Sequence, residues 1–398
     1  MNDRILSTHP TNRLHVVDAL RGFAIVSILL LHNIEHFDFY FSPTNLPLWV
    51  QSIDKVIWEV MFFLFGGKSY AIFALLFGLT FFIQSDNQAK KGKDFRGRFA
   101  WRLFLLLGFG MINSAFFEGD ILSIYAVLGF CLIPVAKLSN KAVFWIALVL
   151  MLQPYEWYRV IDGMLNPDKV LPNPASWAYF DKAAAYITGD SLIDTWAGNL
   201  TNGKLAVIYW TWEMGRVFQN MALFMFGMLA GRLRVFEPTP AAHHFWRKAL
   251  IMAASAFCVL YPVKLFIGGW IDSQAILRPL QTIETSLTNM AFMVVLVSGF
   301  TLLFQTVKGN RLLKGFSPMG RMSLSNYILQ SIVGSFIYYG FGLGLYQYTG
   351  ATYAILIGIV LAFLQSWFSS WWMKNHKQGP LEILWHKGTW INSRNALR

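Results

Sequence analysis

Charge is the scarcest thing in this chain: 14% of its 398 residues are Asp, Glu, Lys or Arg, while 55% are hydrophobic. A soluble chain carries about a quarter of its residues charged, so a water-soluble globular domain is excluded, and lipid is the solvent that removes the need. Cysteine is nearly absent. Cys131 and Cys258 both lie in apolar runs, which argues against a structural disulfide, and no Cys/His cluster has metal-ligand spacing. Nucleotide and hydrolase signatures are missing too: no HExxH, no P-loop, no dinucleotide glycine fingerprint, no GxSxG elbow. No small-residue cleavage site follows the first apolar run, so no cleavable signal peptide is expected.

What is present is apolar length. A helix needs about 20 apolar residues to cross the hydrocarbon, and the candidate segments are 16–34, 56–84, 102–117, 121–136, 142–154, 206–231, 249–268, 283–304, 322–345 and 351–373. The expected fold is therefore all-α: a single integral membrane domain over 1–398, built as a polytopic transmembrane helix bundle of about ten spans. Gly66-Gly67-Lys68 interrupts the second segment and predicts a kink or break. The more polar residues 155–205 predict an extracytoplasmic loop with one or two short interfacial helices.

The net charge of +12 would suit nucleic acid, but its distribution points to topology. With the N-terminus inside, the segments 1–15, 85–102, 137–141, 232–248, 305–321 and 374–398 hold 23 of the 33 Lys and Arg, and the outside segments hold 6. That bias predicts an N-in/C-in protein with membrane lipids, and no nucleic acid, as partners. The run KKGKDFRGRFAWR (90–102) reads as a loop facing lipid headgroups.

Polar groups at membrane depth cost energy and mark function or partnership. The first span reads DALRGFAIVSILLLHNIEHF. Arg21 and His32 are eleven residues apart, almost three helical turns, so they share one face with an axial offset of roughly 16 Å. Asp18 lies one turn before Arg21, and Glu35 and His36 one turn after His32. Arg21 suits a phosphate or carboxylate, and His32 suits a general base oriented by Glu35. The structural alternative is an Asp18–Arg21 snorkelling pair with His32 bonded to a neighbouring helix. In the sixth segment Glu213, Arg216, Gln219 and Asn220 recur near one face, Glu213 and Arg216 being spaced for an ion pair. In the ninth, after Arg321, Ser323, Asn326, Tyr327 and Gln330 form one polar stripe, either site or interhelical glue. Lys68 is a hinge cation or a site group; Glu284 and Asn289 are weaker candidates, and Lys264 snorkels. In GPLEILW (379–385), within the tail 374–398, Gly-Pro blocks helix continuation, and Leu381, Leu384 and Trp385 predict a short interfacial helix.

DALRGFAIVSILLLHNIEHF, GGKSYAIFALLFGLTFFI (66–83), FMFGMLAGR (224–232), GRMSLSNYILQSI (320–332) and GPLEILWHKGTW (379–390) together resemble the YeiB-like family, bacterial membrane proteins named for domain of unknown function 418. The blocks fall in the family's order and span nearly the whole chain. The resemblance implies the bacterial cytoplasmic (inner) membrane and a relation to the transmembrane acyltransferases, among them acyltransferase family 3 and the heparan-glucosaminide acetyltransferase type. Arg21 and His32 reproduce the Arg-x10-His signature of acyltransferase family 3, while the soluble-type His-x4-Asp motif is missing. That relation implies an O- or N-acyl transfer from cytosolic acyl-CoA, acetyl-CoA foremost, to a glycan, lipid-linked or small-molecule acceptor. His32 and Glu35 would be catalytic. Asp18, Arg21, Lys68, Arg216, Arg321, Ser323, Asn326, Tyr327 and Gln330 would bind substrate, with Asn326, Tyr327 or Lys68 as oxyanion donor. No metal is expected, and a homodimer is among the assemblies allowed. Two other classes stay open: a secondary transporter or exporter of a small polar or lipid-linked molecule, and a non-catalytic partner in envelope assembly.

Overall fold

The computed structural model describes residues 13–37, 43 and 45–391; the extreme termini assigned to the cytoplasm (1–12 and 392–398) lie outside them. Among the described residues every regular element is helical. In chain order these are α1 (His15–Ile34), α2 (Leu48–Phe65), α3 (Ser69–Ala89), α4 (Arg96–Phe116), α5 (Leu122–Leu128), α6 (Leu132–Val135) and α7 (Asn140–Met151). Then come α8 (Pro154–Leu165), α9 (Ala175–Phe180), α10 (Ala183–Ile187), α11 (Leu192–Gly198), α12 (Lys204–Glu213) and α13 (Arg216–Arg232). The chain closes with α14 (Pro240–Phe266), α15 (Gln274–Phe304), α16 (Val307–Leu313), α17 (Ser317–Arg321), α18 (Ser323–Tyr338), α19 (Ala351–Asn375) and α20 (Pro380–Thr389).

Among the described residues six stretches are long and apolar enough to cross a membrane: His15–Ile34, Leu48–Ala89, Arg96–Phe116, Pro240–Gly269, Gln274–Phe304 and Ala351–Asn375. The chain is thus a helical membrane protein. The other four expected segments also contain helix, but in shorter pieces: Leu122–Val135, Asn140–Met151, the 17-residue α13 and the 16-residue α18. The outer faces agree with a lipid solvent. On α14 the side chains of Ile251, Met252, Val259, Leu265 and Phe266 are all exposed, a surface that water would not tolerate on one helix. Residues 155–205 carry more structure than one or two short helices, since α8 to α11 and a π-helical turn at Asn199–Gly203 all fall in or overlap that stretch.

Two helices break inside the membrane-spanning layer, one where expected and one not. Between α2 and α3, Gly67 takes φ +76°; between α12 and α13, Gly215 takes φ +65°. Both values lie in the left-handed region that L side chains avoid, so a glycine is what lets each chain turn. The 206–231 segment is therefore two helices rather than one. The halves that come after the breaks, α3 and α13, run parallel: Tyr70 meets Gln219 near their starts, and Phe82 meets Gly231 near their ends. Gly78 and Gly227 pack against the facing backbone at Phe224 and Leu75 with no room for a Cβ, the small-residue contact that lets membrane helices approach closely.

The first helix is the axis of the bundle. It touches α2, α3, α15, α17, α18 and α19, and Ala19, Leu20, Ala24 and Ile25 are fully buried. Ser69 donates to Ser27 Oγ at 2.8 Å, so α3 begins beside the middle of α1, between the levels of Arg21 and His32.

Candidate functional site

Two cavities are stacked along α1. The first, of about 450 Å³, is lined by His32 and Glu35 together with Asp120, Arg216, Asn220 and a wall of aromatic rings. The second, of about 530 Å³, is lined by Asp18 and Arg21 together with Arg13, Arg102, Arg321, Lys377, Glu382 and His386. Ile28, Tyr70, Ile121 and Tyr327 line both and so form the partition between them. The helical spacing of Arg21 and His32 is the cause: one face of one helix supplies a polar group to each chamber, about three turns apart.

In the Arg21 cavity the guanidinium of Arg21 donates to Thr80 Oγ1 on α3 and, at 3.4 Å, to Asp18 Oδ1. Asp18 is also paired with Arg13, so the Asp18–Arg21 pair forms and still leaves both groups on a cavity. Arg321 donates to the carbonyl of Lys377 at 2.9 Å. The tail helix α20 closes one side. Its Glu382 accepts from Leu324 N at 2.7 Å, Ser325 N at 3.2 Å and Ser325 Oγ, which caps the otherwise uncapped start of α18. Burial pushes the Glu382 carboxyl upward, and its bonds to Ser325 and the backbone oppose that. Burial and the neighbouring Arg102 charge both lower His386 below its ordinary 6.5. Arg102 stacks 3.8 Å from the Trp385 ring, and Trp385 Nε1 donates to the Arg102 carbonyl at 3.1 Å. The predicted GPLE helix is real, but it docks on α4 and α18 through these bonds and is more than an interfacial float.

The His32 cavity is built differently. The imidazole of His32 meets rings, with Phe117 at 4.5 Å, Phe37 at 5.5 Å and Tyr327 at 6.3 Å between centroids. No hydrogen bond joins it to Glu35 among the described residues, although both line the cavity. His36, expected near them, lies outside the cavity lining: φ +53° turns the backbone there, and its ring lies 5.1 Å from that of Tyr338. Arg216, the first residue of α13, is held between the rings of Trp210 at 3.7 Å and Tyr70 at 4.4 Å. The expected Glu213–Arg216 ion pair does not form. Gly215 breaks the helix between them, and Glu213 instead accepts from the Ala175 and Ser176 amides, at 2.6 and 3.3 Å, and from Ser176 Oγ, anchoring the start of α9.

Other expected site residues separate just as cleanly. Ser323 and Tyr327 face cavities. Asn326 and Gln330 turn to α19 instead: Asn326 Nδ2 donates to Ser369 Oγ at 3.0 Å, Gln330 Nε2 to Gln365 Oε1 at 2.8 Å, and Gln365 Nε2 back to the Asn326 carbonyl at 2.9 Å. The stripe on α18 is thus half lining and half interhelical glue. Lys68 lines neither cavity; its ammonium donates to the Phe62 carbonyl at 3.4 Å and sits 5.6 Å from the Phe292 ring. Glu284 is bonded to Thr288 on its own helix.

Three lining groups escaped the reading of the sequence. Asp120 is fully buried and accepts from Asn113 Nδ2, Ser114 Oγ, the amides of Leu122 and Ser123, and Lys204 Nζ. Its position before the apolar run of α5 is an N-cap signal that could have found it. Tyr70, beside the broken helix start, and Arg102, at the end of the basic run, carried no local signal separating them from a lipid-facing ring and a headgroup-facing cation.

Residues 230–392 match the family described as "Protein of unknown function (DUF418)". The chain is 28% identical to the uncharacterized protein YxaH of Bacillus subtilis (strain 168), over 97% of both chains. It is 26% identical to the uncharacterized protein YeiB of Escherichia coli (strain K12), over 94% of this chain and 95% of that one. No solved structure matches it.

Proposed function

We propose that this chain, which is similar to the YeiB-like proteins over nearly its whole length and matches the DUF418 family over residues 230–392, is a transmembrane acyltransferase. In this reading about ten spans cross the bacterial inner membrane with both termini in the cytoplasm. The Arg21 cavity takes cytosolic acyl-CoA, acetyl-CoA foremost, and the His32 cavity takes the acceptor hydroxyl or amine. One observation carries the reading: two chambers stacked along α1, one lined by four arginines and a lysine and the other by His32, with Ile28, Tyr70, Ile121 and Tyr327 common to both. A long, thin pantetheine arm is a ligand that such a pair of chambers fits, since its phosphates and its thioester lie far apart.

The chemistry balances with the residues available. Arg21, Arg321 and Lys377 hold the donor phosphates by charge-assisted bonds. His32 takes the proton of the acceptor O–H or N–H as that atom attacks the thioester carbonyl carbon. The C–S bond then breaks, the thiolate recovers the proton from His32, and the products are the ester or amide and free CoA. Tyr327 is the oxyanion donor of choice, because its hydroxyl accepts from Ile121 N at 3.5 Å and keeps its own proton to give. Asn326 and Lys68 line neither of the two cavities, so in this reading the role falls to Tyr327. Turnover of labelled acyl-CoA by the purified protein, with His32→Ala beside it, tests the proposal: retained turnover in the variant overturns the assigned base.

A second reading, a secondary transporter, draws on the two glycine breaks at Gly67 and Gly215, because half-helices meeting at mid-depth are a transporter device. Here the partition would be a gate that opens to either side in turn. Ion-coupled uptake into liposomes, without acyl-CoA consumption, would favour it.

A further inference from the structure

Two helix starts and two unpartnered side chains converge on one end of the His32 cavity. Both breaks end there: Gly66 and Gly67 line it ahead of α3, and Arg216, which lines it too, opens α13. Neither helix has a side-chain cap, so their first-turn amides remain donors, each start carrying about half a positive charge. Because α3 and α13 run parallel and in contact, the two partial charges stand side by side.

Arg216 makes no hydrogen bond or ion pair among the described residues. The Trp210 and Tyr70 rings hold its plane and leave its N–H donors open. One turn further along α13, Asn220 lines the same cavity at 1% exposure, and its Oδ1 is buried without a donor. An unmet side-chain amide at that depth costs energy unless a ligand meets it. Glu35 is the carboxylate whose charge acts on Arg216, while Asp120 is already saturated by its own donors. In the buried part of the cavity a guanidinium and two helix starts face Glu35, about one positive charge in surplus, while Asp181, which also lines the cavity, is exposed.

We propose that the Arg216 end of the His32 cavity binds an anionic group, a carboxylate or phosphate, carried beside a hydroxyl that donates to Asn220. The inference rests on reading this cavity as the acceptor side, and it names the acceptor class: a hydroxylated anion. The phosphate could belong to a soluble molecule or to a lipid headgroup.

The test is equilibrium binding of labelled glycerol 3-phosphate to the full-length protein in phosphatidylcholine nanodiscs, with inorganic phosphate as competitor and no acyl-CoA present. Saturable binding that weakens at least about tenfold in Arg216→Gln and disappears in Asn220→Asp supports a soluble ligand. No such binding, but retention of phosphatidylglycerol by the purified protein that both variants reduce, supports a headgroup. Absence of both, or binding that neither variant changes, overturns the proposal. Should Arg216→Gln not yield monodisperse protein, Asn220→Asp decides. Acyl-CoA turnover is scored separately. Anion binding without turnover removes the acyltransferase reading and keeps this site; turnover onto a neutral acceptor that is indifferent to Arg216→Gln does the reverse.

Discussion

The two cavities are close in size, about 450 and 530 Å³, share four lining residues and lie on the same helix, yet their chemistry has little in common. The Arg21 cavity gathers four arginines and a lysine from the chain just before α1, α1 itself, α4, the α17 end and the chain after α19. Its cations are tied down by Asp18, Thr80 and backbone carbonyls. The His32 cavity has one arginine, set among rings, and a histidine surrounded by aromatic edges. A polyanion suits the first, where several fixed positive groups neutralise it together. A small reacting group suits the second, where water is scarce and each polar contact counts for more. The difference teaches that the helix spacing of Arg21 and His32 does not build one site; it gives one polar group to each of two neighbouring cavities.

The comparison breaks most sharply at His32. If that end does the chemistry, His32→Ala should lower acyl transfer by about 10²–10⁴-fold with the melting temperature and donor affinity unchanged; a loss of donor affinity instead would merge the two cavities into one binding site. At the other end, Arg21→Gln should raise the KM for acyl-CoA by roughly 10–100-fold, the value of a charge-assisted bond, and spare kcat. A fall in kcat alone would make Arg21 part of the reacting centre. Next, Asn326→Leu tests the face of α18 that points away from both cavities. Breaking its side-chain bonds to Ser369 and to the Met319 carbonyl should cost about 1–3 kcal/mol of stability, while kcat and KM of the folded fraction stay as they were; altered kinetics at full stability would return Asn326 to the site.

The smallest effect concerns α20, which borders the Arg21 cavity alone. His386 has a folded value below 6.5, so its contribution to docking is complete above about 6.5 and is lost as pH falls through the lowered value. Glu382 has a raised value and works in the opposite sense, favouring docking below the ordinary carboxylate range near ~4.3 and weakening it as pH rises through the raised value. Hydrogen-exchange protection of residues 380–390, corrected for the pH dependence of the intrinsic rate, should therefore fall on acidification from neutral pH where the His386 contribution outweighs that of Glu382. In His386→Asn only the opposite trend from Glu382 should remain, and protection that falls equally in that variant would show that the tail responds to another group.

Much of the fold was legible because lipid imposes a simple demand: backbone polar groups must be satisfied within each segment, so apolar length reads directly as helix. All ten expected segments contain helix for that reason, and the Gly66-Gly67 break was visible because two adjacent glycines interrupt an apolar run. The Gly215 break hid inside a segment with a single glycine between Met214 and Arg216, where nothing local distinguishes a packed glycine from a turning one. The candidate site was legible only along α1. On α18, Asn326 and Tyr327 are neighbours in sequence, and one hundred degrees of helical rotation sends the first to α19 and the second to the partition.

By itself, then, the sequence determined that this is a helical membrane protein, and that Arg21 and His32 share a face about three turns apart, because helix geometry and the apolar solvent act over short range. Only the tertiary structure decided that these two residues open onto different cavities, that Glu213 and Arg216 part company, and that Asp120, Tyr70 and Arg102 join the lining. Each of those outcomes depends on which helix packs beside which. That choice is made by contacts between residues far apart in the chain, such as Gly78 with Phe224 or Asn326 with Ser369.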